Sequence, residues 1–562
     1  MTKSVRMSVW QVKVMQIRKR LLVAIAVSLA VVLAALFFVR PGTRSLQVWG
    51  FLLTFAAIYL VTGFYPRTVS RLGAVLYGAA LCLSLIDAGI RGFLYQTYRT
   101  DYFSGFVLES LANTNASEAG EFVLSQLAHF APWIAVTIVL AVFCTCLLVW
   151  AESNVGRGAT VSVRRLVLCV TVAFVALFTV FSWSKSSWRG QLPGFSWVKV
   201  YGLAEQTKAE WEASLRETKT ALEKAQKLIT GVDPSPNTVV LVIGESMTSE
   251  NMSVYGYSRD TTPKLRELAQ KGELTALADS WSVMHSTVGA FDSMFRFSGG
   301  GERSVNLLAL FDAAGYRITW ISNQDDTAIK AKYMALTDRV VSLNHLAGRS
   351  SASPDEKVLA PLEEALREPY ERKLIVVHLI GCHPHYSLRY PEGLKGSWED
   401  ADTDAVPQTL EKLGRGRFVR KARDHFDRAI LYQDGVIAAT LELTQRYAAT
   451  SNVFWTYLSD HGQEVGNYAD FDGHSNTTPS GYRIPLLIWG RGKTEPLVKL
   501  AARRSFRADW VDSMLLEAAG VRWKGETLNE SVLSPAYQWK DPASKQKFVR
   551  NHVPMVELHV PH

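Results

Sequence analysis

The stretch "VVLVIGESMTSE", residues 239–250, opens with five apolar residues, closes them with Gly244, and then places a carboxylate, Glu245, where a buried strand should end. An apolar run of this length with no polar alternation is the pattern of a strand covered on both faces, as in parallel sheets. Around it, short β-rich runs at 238–243, 317–321, 374–380, 453–458 and 485–489 alternate with helical segments. That alternation predicts an α/β domain with a mostly parallel central sheet.

In such sheets ligands collect beyond the carboxyl ends of the strands, so the residues that follow each run are the candidates. Glu245 follows the first run, Cys382, His383 and His385 follow 374–380, and Ser459, Asp460 and His461 follow 453–458; His474 comes later, in "FDGHSN". Two carboxylates and a histidine are oxygen and nitrogen donors of the kind zinc takes. A cation would also offset the cost of holding Glu245 ionised at a strand end. Between the first two runs lies "SVMHSTVGAFDSMFRFSGGG", residues 282–301, which offers two candidate hydroxyls, Ser286 and Thr287. A hydroxyl coordinated to a cation becomes a nucleophile near neutral pH. The same two residues also suit the N-cap of a helix, and the roles are compatible, because a helix N-terminus supplies positive potential.

The chain of 562 residues exceeds one ordinary domain. It is 48% hydrophobic and only 20% charged, and the apolar residues crowd into the first third. Five stretches of about 20 residues there, at 21–39, 47–65, 72–90, 130–150 and 165–183, are expected to be transmembrane helices. Asp87, near the end of the third, has Arg91 four residues on and is expected to form an interfacial ion pair. The first stretch follows six basic residues, as in a signal peptide, but it is long and runs into "RPGTR", so it is read as a retained anchor. Eleven Lys and Arg (3, 6, 13, 18, 19, 20, 67, 71, 157, 164 and 165) fall on one side of the spans and four (40, 44, 91 and 99) on the other. This asymmetry places the N-terminus in the cytoplasm and everything after residue 185 outside it.

The expected organisation is therefore a five-span domain at 1–185, an amphipathic linker helix region at 186–235, and an exported α/β domain at 236–562. Within the linker, Leu203, Trp211, Leu215, Leu222 and Ile229 recur near helical period before the breaker "DPSPN" at 233–237. Of five cysteines only Cys382 lies in the exported part, which excludes a disulfide within it. The net charge of +9 suits an anionic membrane or glycolipid, and export argues against nucleic acid.

The segments "VVLVIGESMTSENMSVYGYSRDTTPKL", "YRITWISNQ", "LIVVHLIGCHPHYSLRYPEG", "FDRAILYQDGVIAATL" and "YLSDHGQEVG" resemble, in this order, those of bacterial phosphoethanolamine transferases of the alkaline phosphatase and sulfatase superfamily. "LANTNASEAGEFV" and the five-span domain fit the same family. The likeness is greatest to the lipopolysaccharide-core type, with some likeness to the periplasmic-glucan type. It implies a multi-pass protein of the bacterial inner membrane with a periplasmic sulfatase-like catalytic domain. It further implies that phosphoethanolamine passes from phosphatidylethanolamine to lipopolysaccharide core or a glucan. Glu245, Thr287, Asp460 and His461 would bind catalytic zinc, one ion or two, with Thr287 carrying the phosphoethanolamine. His383 and His474 would contact phosphoryl oxygens or a second metal, Gln324 the substrate, and Thr114 and Glu118 the donor near the membrane surface. Read from the residues alone, the two histidines also suit a structural role, and Thr114 and Glu118 a solvated helix end.

Two departures from the family pattern stand out. Members acting on lipid A commonly carry several disulfides in the soluble domain, which this chain cannot form. The lysine that some members place after the "SNQ" position has no clear counterpart, although Lys330 and Lys332 are nearby. Three rival readings are a glycerol-phosphate transferase of the lipoteichoic-acid synthase type, a tethered sulfatase and a metal-free scaffold. The sulfatase reading lacks a Cys or Ser followed by x-Pro-x-Arg near residue 287, and the scaffold reading lacks a lost ligand.

Overall fold

The computed structural model describes residues 20–560 except 21, 25, 32–43, 99–100, 105–106, 109–110, 112–126, 153–160, 185–190, 296–304, 325–332, 345–352 and 400–403. The chain groups into two compact units, 1–209 and 210–562.

In the first unit the described long helices are α1 (Arg44–Thr62), α2 (Arg67–Tyr98), α3 (Leu127–Glu152) and α4 (Val161–Ser184). Helix α5 (Phe195–Leu228) begins here and contains the boundary between the units. Among the described residues one helical stretch, Arg67–Leu94, is long and apolar enough to cross a bilayer, against five expected from the sequence. Shorter apolar stretches occupy Leu22–Val31, Gly50–Thr62, Ile134–Leu148 and Leu168–Phe178, each inside one of the other expected spans. Val139, Phe143, Leu177 and Val180 are more than half exposed on α3 and α4. Asp87 and Arg91 do pair, at 2.8 Å, and both are buried; Ser196 Oγ and Trp197 Nε1 donate to the other Asp87 oxygen at 3.2 and 3.1 Å.

The second unit is built on a seven-stranded mixed sheet of β1 (Asn237–Gly244), β2 (Thr275–Ala276), β3 (Arg317–Ser322), β4 (Arg339–Ser342), β5 (Arg372–His378), β6 (Asn452–Ser459) and β7 (Leu486–Arg491), in the spatial order β2-β7-β6-β1-β5-β3-β4. Strands β6, β1, β5, β3 and β4 are mutually parallel, whereas β7 runs antiparallel to β6 and β2. The opening run explains this order. Strand β1 is fully buried and central; Val239, Leu241 and Ile243 enter one core, while Val240 and Val242 enter the other. Strand side chains alternate between faces, so a strand with helices on both sides needs apolar residues at every position.

One core packs β1 and β3 against α6 (Thr287–Phe295) and α8 (Val511–Ala519), through Phe291, Phe295, Trp320, Met514 and Leu515. The other packs the sheet against the long helix α7 (Arg417–Tyr447) through Phe426, Ile430, Ile437 and Leu441. A last helix, α9 (Ala543–Arg550), donates Ser544 Oγ to the Ser282 carbonyl at 3.0 Å.

The third run was expected to extend through residue 380, but β5 stops at His378. Leu379 N still donates to Ile243 O, after which the N–H groups of Ile380 and Gly381 turn onto the carboxylate of Asp355, each at 2.9 Å. A side chain has replaced the strand as hydrogen-bond partner, which ends the ladder.

Candidate metal centre

Glu245 follows β1, and Asp460 and His461 follow β6; since β1 and β6 are parallel neighbours with Gly244 opposite Ser459, all three emerge at one end of the sheet. One donor atom from each lies within 4.8 Å of those of the other two, and all three residues are buried. Thr287 arrives from a different element. It is the first residue of α6 and shares a face with Phe291 and Phe295, four and eight residues on. Phe295 packs on Trp320 with ring centroids 5.6 Å apart, and seating these aromatics turns Thr287 inward. Its Oγ1 donates to Glu245 Oε2 at 3.0 Å and lies 3.4 Å from His461 Nε2. Ser286, the rival hydroxyl, is exposed; its carbonyl accepts the first helical bond, from Ala290 N.

The cluster is oriented by its neighbours. Ser246 Oγ donates to Glu245 Oε1 at 2.6 Å, and Ser246 N donates to Asp460 Oδ1 at 3.1 Å. His461 Nδ1 donates to the Gly462 carbonyl at 2.8 Å, which turns Nε2 toward Glu245 and Asp460, 3.4 Å from an oxygen of each. Ser282 Oγ donates to the Asp460 carbonyl at 2.7 Å, and Ser459 Oγ to that of His461 at 2.9 Å. Gln324 Nε2 reaches Glu245 Oε2 at 3.4 Å and the Leu379 carbonyl at 2.9 Å. The His474 ring lies edge-on to His461 at 4.7 Å between centroids, and His383 is 6.4 Å from His474. Thr114 and Glu118, as well as Lys330 and Lys332, lie outside the described residues.

The electrostatics suit a cation. Burial alone would raise the Glu245 pKa, but His461, His383 and Ser246 outweigh it and hold the carboxyl well below its usual range. Burial and the Glu245 charge together push Asp460 upward. Burial lowers His461, yet Asp460 and Glu245 raise it more. Asp460 Oδ2 is buried without a hydrogen bond. A buried carboxylate oxygen left without a donor is costly unless something positive meets it. The donor set of two carboxylates, one imidazole and a hydroxyl fits zinc.

Three supporting residues escaped the sequence reading. Ser246 has φ +57°, a left-handed turn that aims both its N–H and its hydroxyl at the cluster. Gly381 has φ +53°, and a Cβ there would lie 2.6 Å from both the N and the O of Glu245. Asp355 is buried and also accepts from Asn323 and Gln433, each at 2.8 Å, so that it fixes the turn that carries Gly381. Of the three, only Ser246 was signalled, by its place beside Glu245.

Residues 237–521, a little over half of the chain, match the family model described as Sulfatase, and the chain belongs to that family. It is similar to the phosphoethanolamine transferase EptC of Escherichia coli K12, 27% identical over 519 residues and 86% of each chain. It is also similar to the phosphoethanolamine transferase CptA of Salmonella typhimurium LT2, 28% identical over 326 residues and 54% of each chain. Among solved structures, the C-terminal periplasmic domain of E. coli EptC in complex with Zn matches with a TM-score of 0.50 and 27% identity, covering 56% of this chain and 93% of that one.

Proposed function

We propose that this protein is a zinc-dependent phosphoethanolamine transferase of the bacterial inner membrane, taking its donor group from phosphatidylethanolamine and modifying lipopolysaccharide core. The observation that carries this reading is the approach of the Thr287 hydroxyl to the buried Glu245, Asp460 and His461 cluster. The names of the EptC and CptA relatives support the chemistry, and the zinc complex of the EptC domain supports the metal.

Glu245, Asp460, His461 and Thr287 would hold one zinc ion. When bound, it would neutralise phosphoryl charge and lower the pKa of a coordinated hydroxyl. Thr287 Oγ1 attacks the phosphorus of phosphatidylethanolamine. The Oγ1–P bond forms as the bond to diacylglycerol breaks, and the threonine proton leaves with the released alcohol. An acceptor oxygen then displaces phosphoethanolamine from Thr287, and its proton restores the hydroxyl. His383 and His474 face the phosphoryl oxygens, Gln324 orients Glu245 from the substrate side, and Thr114 with Glu118 holds the donor headgroup. Catalysis is positioning plus charge stabilisation, as phosphoryl transfer requires.

In the same reading, residues 1–185 cross the membrane five times from a cytoplasmic N-terminus, 186–235 link, and 236–562 work in the periplasm. The lysine and arginine asymmetry and the exposed apolar faces of α3 and α4 support this topology. A lipid donor explains the anchor, since tethering keeps the site at the headgroup. Mass spectrometry of lipopolysaccharide and periplasmic glucans, with and without the gene, tests the assignment. Loss of phosphoethanolamine from the core supports it, and unchanged core with altered glucan contradicts the acceptor.

A further inference from the structure

A cleft of about 560 Å³ opens beside the metal centre, with His474 in its wall. One side is a face of α7. Phe418, Lys421, Ala422 and His425 fall at the i, i+3, i+4 and i+7 positions and all line the cleft. On a helix packed into a domain such a stripe is normally apolar and covered. Here Phe418 is 72% exposed and Lys421 is exposed, while the helix's buried contacts run through Val419, Phe426 and Ile430. Phe471, 47% exposed, and Asp472 belong to the lining as well. His425 is held by Tyr390, whose hydroxyl is 2.6 Å from Nδ1.

Resting on the transferase reading, we infer that this cleft seats the sugar of the acceptor that flanks the modified position, and that this sugar carries an anionic group, phosphate or carboxylate. Two exposed aromatic rings offer apolar faces to the C–H faces of a sugar, and Asp472 offers an acceptor to its hydroxyls. Lys421 lies one turn from His425 on the same face, and its exposed ammonium supplies the charge that an anionic group would meet, while burial lowers the His425 pKa and leaves that ring a neutral hydrogen-bonding partner. The acyl chains of a donor lipid would meet Lys421 and Asp472 without compensation. His474 joins the cleft to the centre, because its ring is 4.7 Å from that of His461, so a sugar seated here presents its oxygens toward Thr287.

The test uses the full chain in detergent with phosphatidylethanolamine and extracted lipopolysaccharide, and adds glucose 6-phosphate, glucuronate or glucose as competitors. Competition by one or both anionic sugars at concentrations where glucose has no effect is expected, and which of them competes identifies phosphate or carboxylate. Lys421→Glu should abolish that competition and raise the acceptor KM about tenfold or more, and Phe418→Ala should raise it as well. In both variants diacylglycerol release without acceptor should still stop at one equivalent per enzyme. A wild-type acceptor KM in both variants, equal competition by glucose, or loss of the one-equivalent release in Lys421→Glu would overturn the assignment. Absence of that release in the unaltered chain would instead contradict the two-step reading, and the acceptor KM of the variants would still decide the cleft.

Discussion

Thr287 Oγ1 donates to Glu245 Oε2 across 3.0 Å, although the two residues are 42 positions apart and belong to different elements. The contact exists because a fully buried strand delivers Glu245 and an aromatic-anchored helix delivers Thr287. Phe295→Ala should therefore cost about 3–5 kcal/mol of stability and reduce transfer in the protein that still folds. Thermal melts beside initial rates check this, and a variant with normal rate and stability would show that the aromatic seat does not position Thr287.

Asp460→Ala, Glu245→Ala and His461→Ala should each weaken zinc binding by at least about 100-fold and abolish transfer. The protein should remain in the membrane. Metal analysis of purified full chain decides it, and full zinc content in any one of the three would remove that residue from the ligand set.

Ser246→Gly keeps a residue that tolerates φ +57° and deletes the hydroxyl that donates to Glu245. Zinc affinity should fall about 10- to 100-fold without loss of fold, as is typical when a group that orients a ligand is removed. Equilibrium dialysis against a zinc buffer measures it. Gly381→Ala acts on the backbone of the same residue. Its Cβ would press on Glu245 N and O from a left-handed conformation, and a loss of about 1–3 kcal/mol together with activity is expected.

Asp279 supplies a pH dependence. Burial raises its pKa, but Lys545 at 2.7 Å, Ser505 and Trp281 lower it further, so the folded value lies below the ordinary 3.8. Its stabilisation is therefore complete above about pH 4 and is lost as pH falls through the lower folded value. This bond ties α9 beside Ser282, which in turn holds the Asp460 carbonyl. Melts of Asp279→Asn and the parent chain should differ at pH 7, and the gap should shrink as pH falls below about 4; a constant gap would contradict the assignment.

The five strand runs read from the sequence all appear, because a strand buried on both faces carries its signature in every residue. Edge strand β4 escaped notice: Arg339–Ser342 is partly exposed, and its mixed residues resemble loop. Glu245, Asp460 and His461 were legible because they directly follow strands whose parallel pairing aligns their ends. From the residues alone Thr287 could not be separated from Ser286, and the family resemblance favoured Thr287; in the fold, the seating of Phe291 and Phe295 turns that hydroxyl inward. Asp355 and Gly381 were illegible for a similar reason, because their contacts are made by a turn that closes across the fold.

The most direct test is to incubate the full chain with phosphatidylethanolamine and no acceptor, and then to find phosphoethanolamine by peptide mass spectrometry. The account predicts one adduct, on Thr287, accompanied by about one equivalent of diacylglycerol. The adduct should persist in Ser286→Ala and vanish in Thr287→Ala together with transfer. An adduct that survives in Thr287→Ala and vanishes in Ser286→Ala, or active enzyme that never forms one, would contradict it.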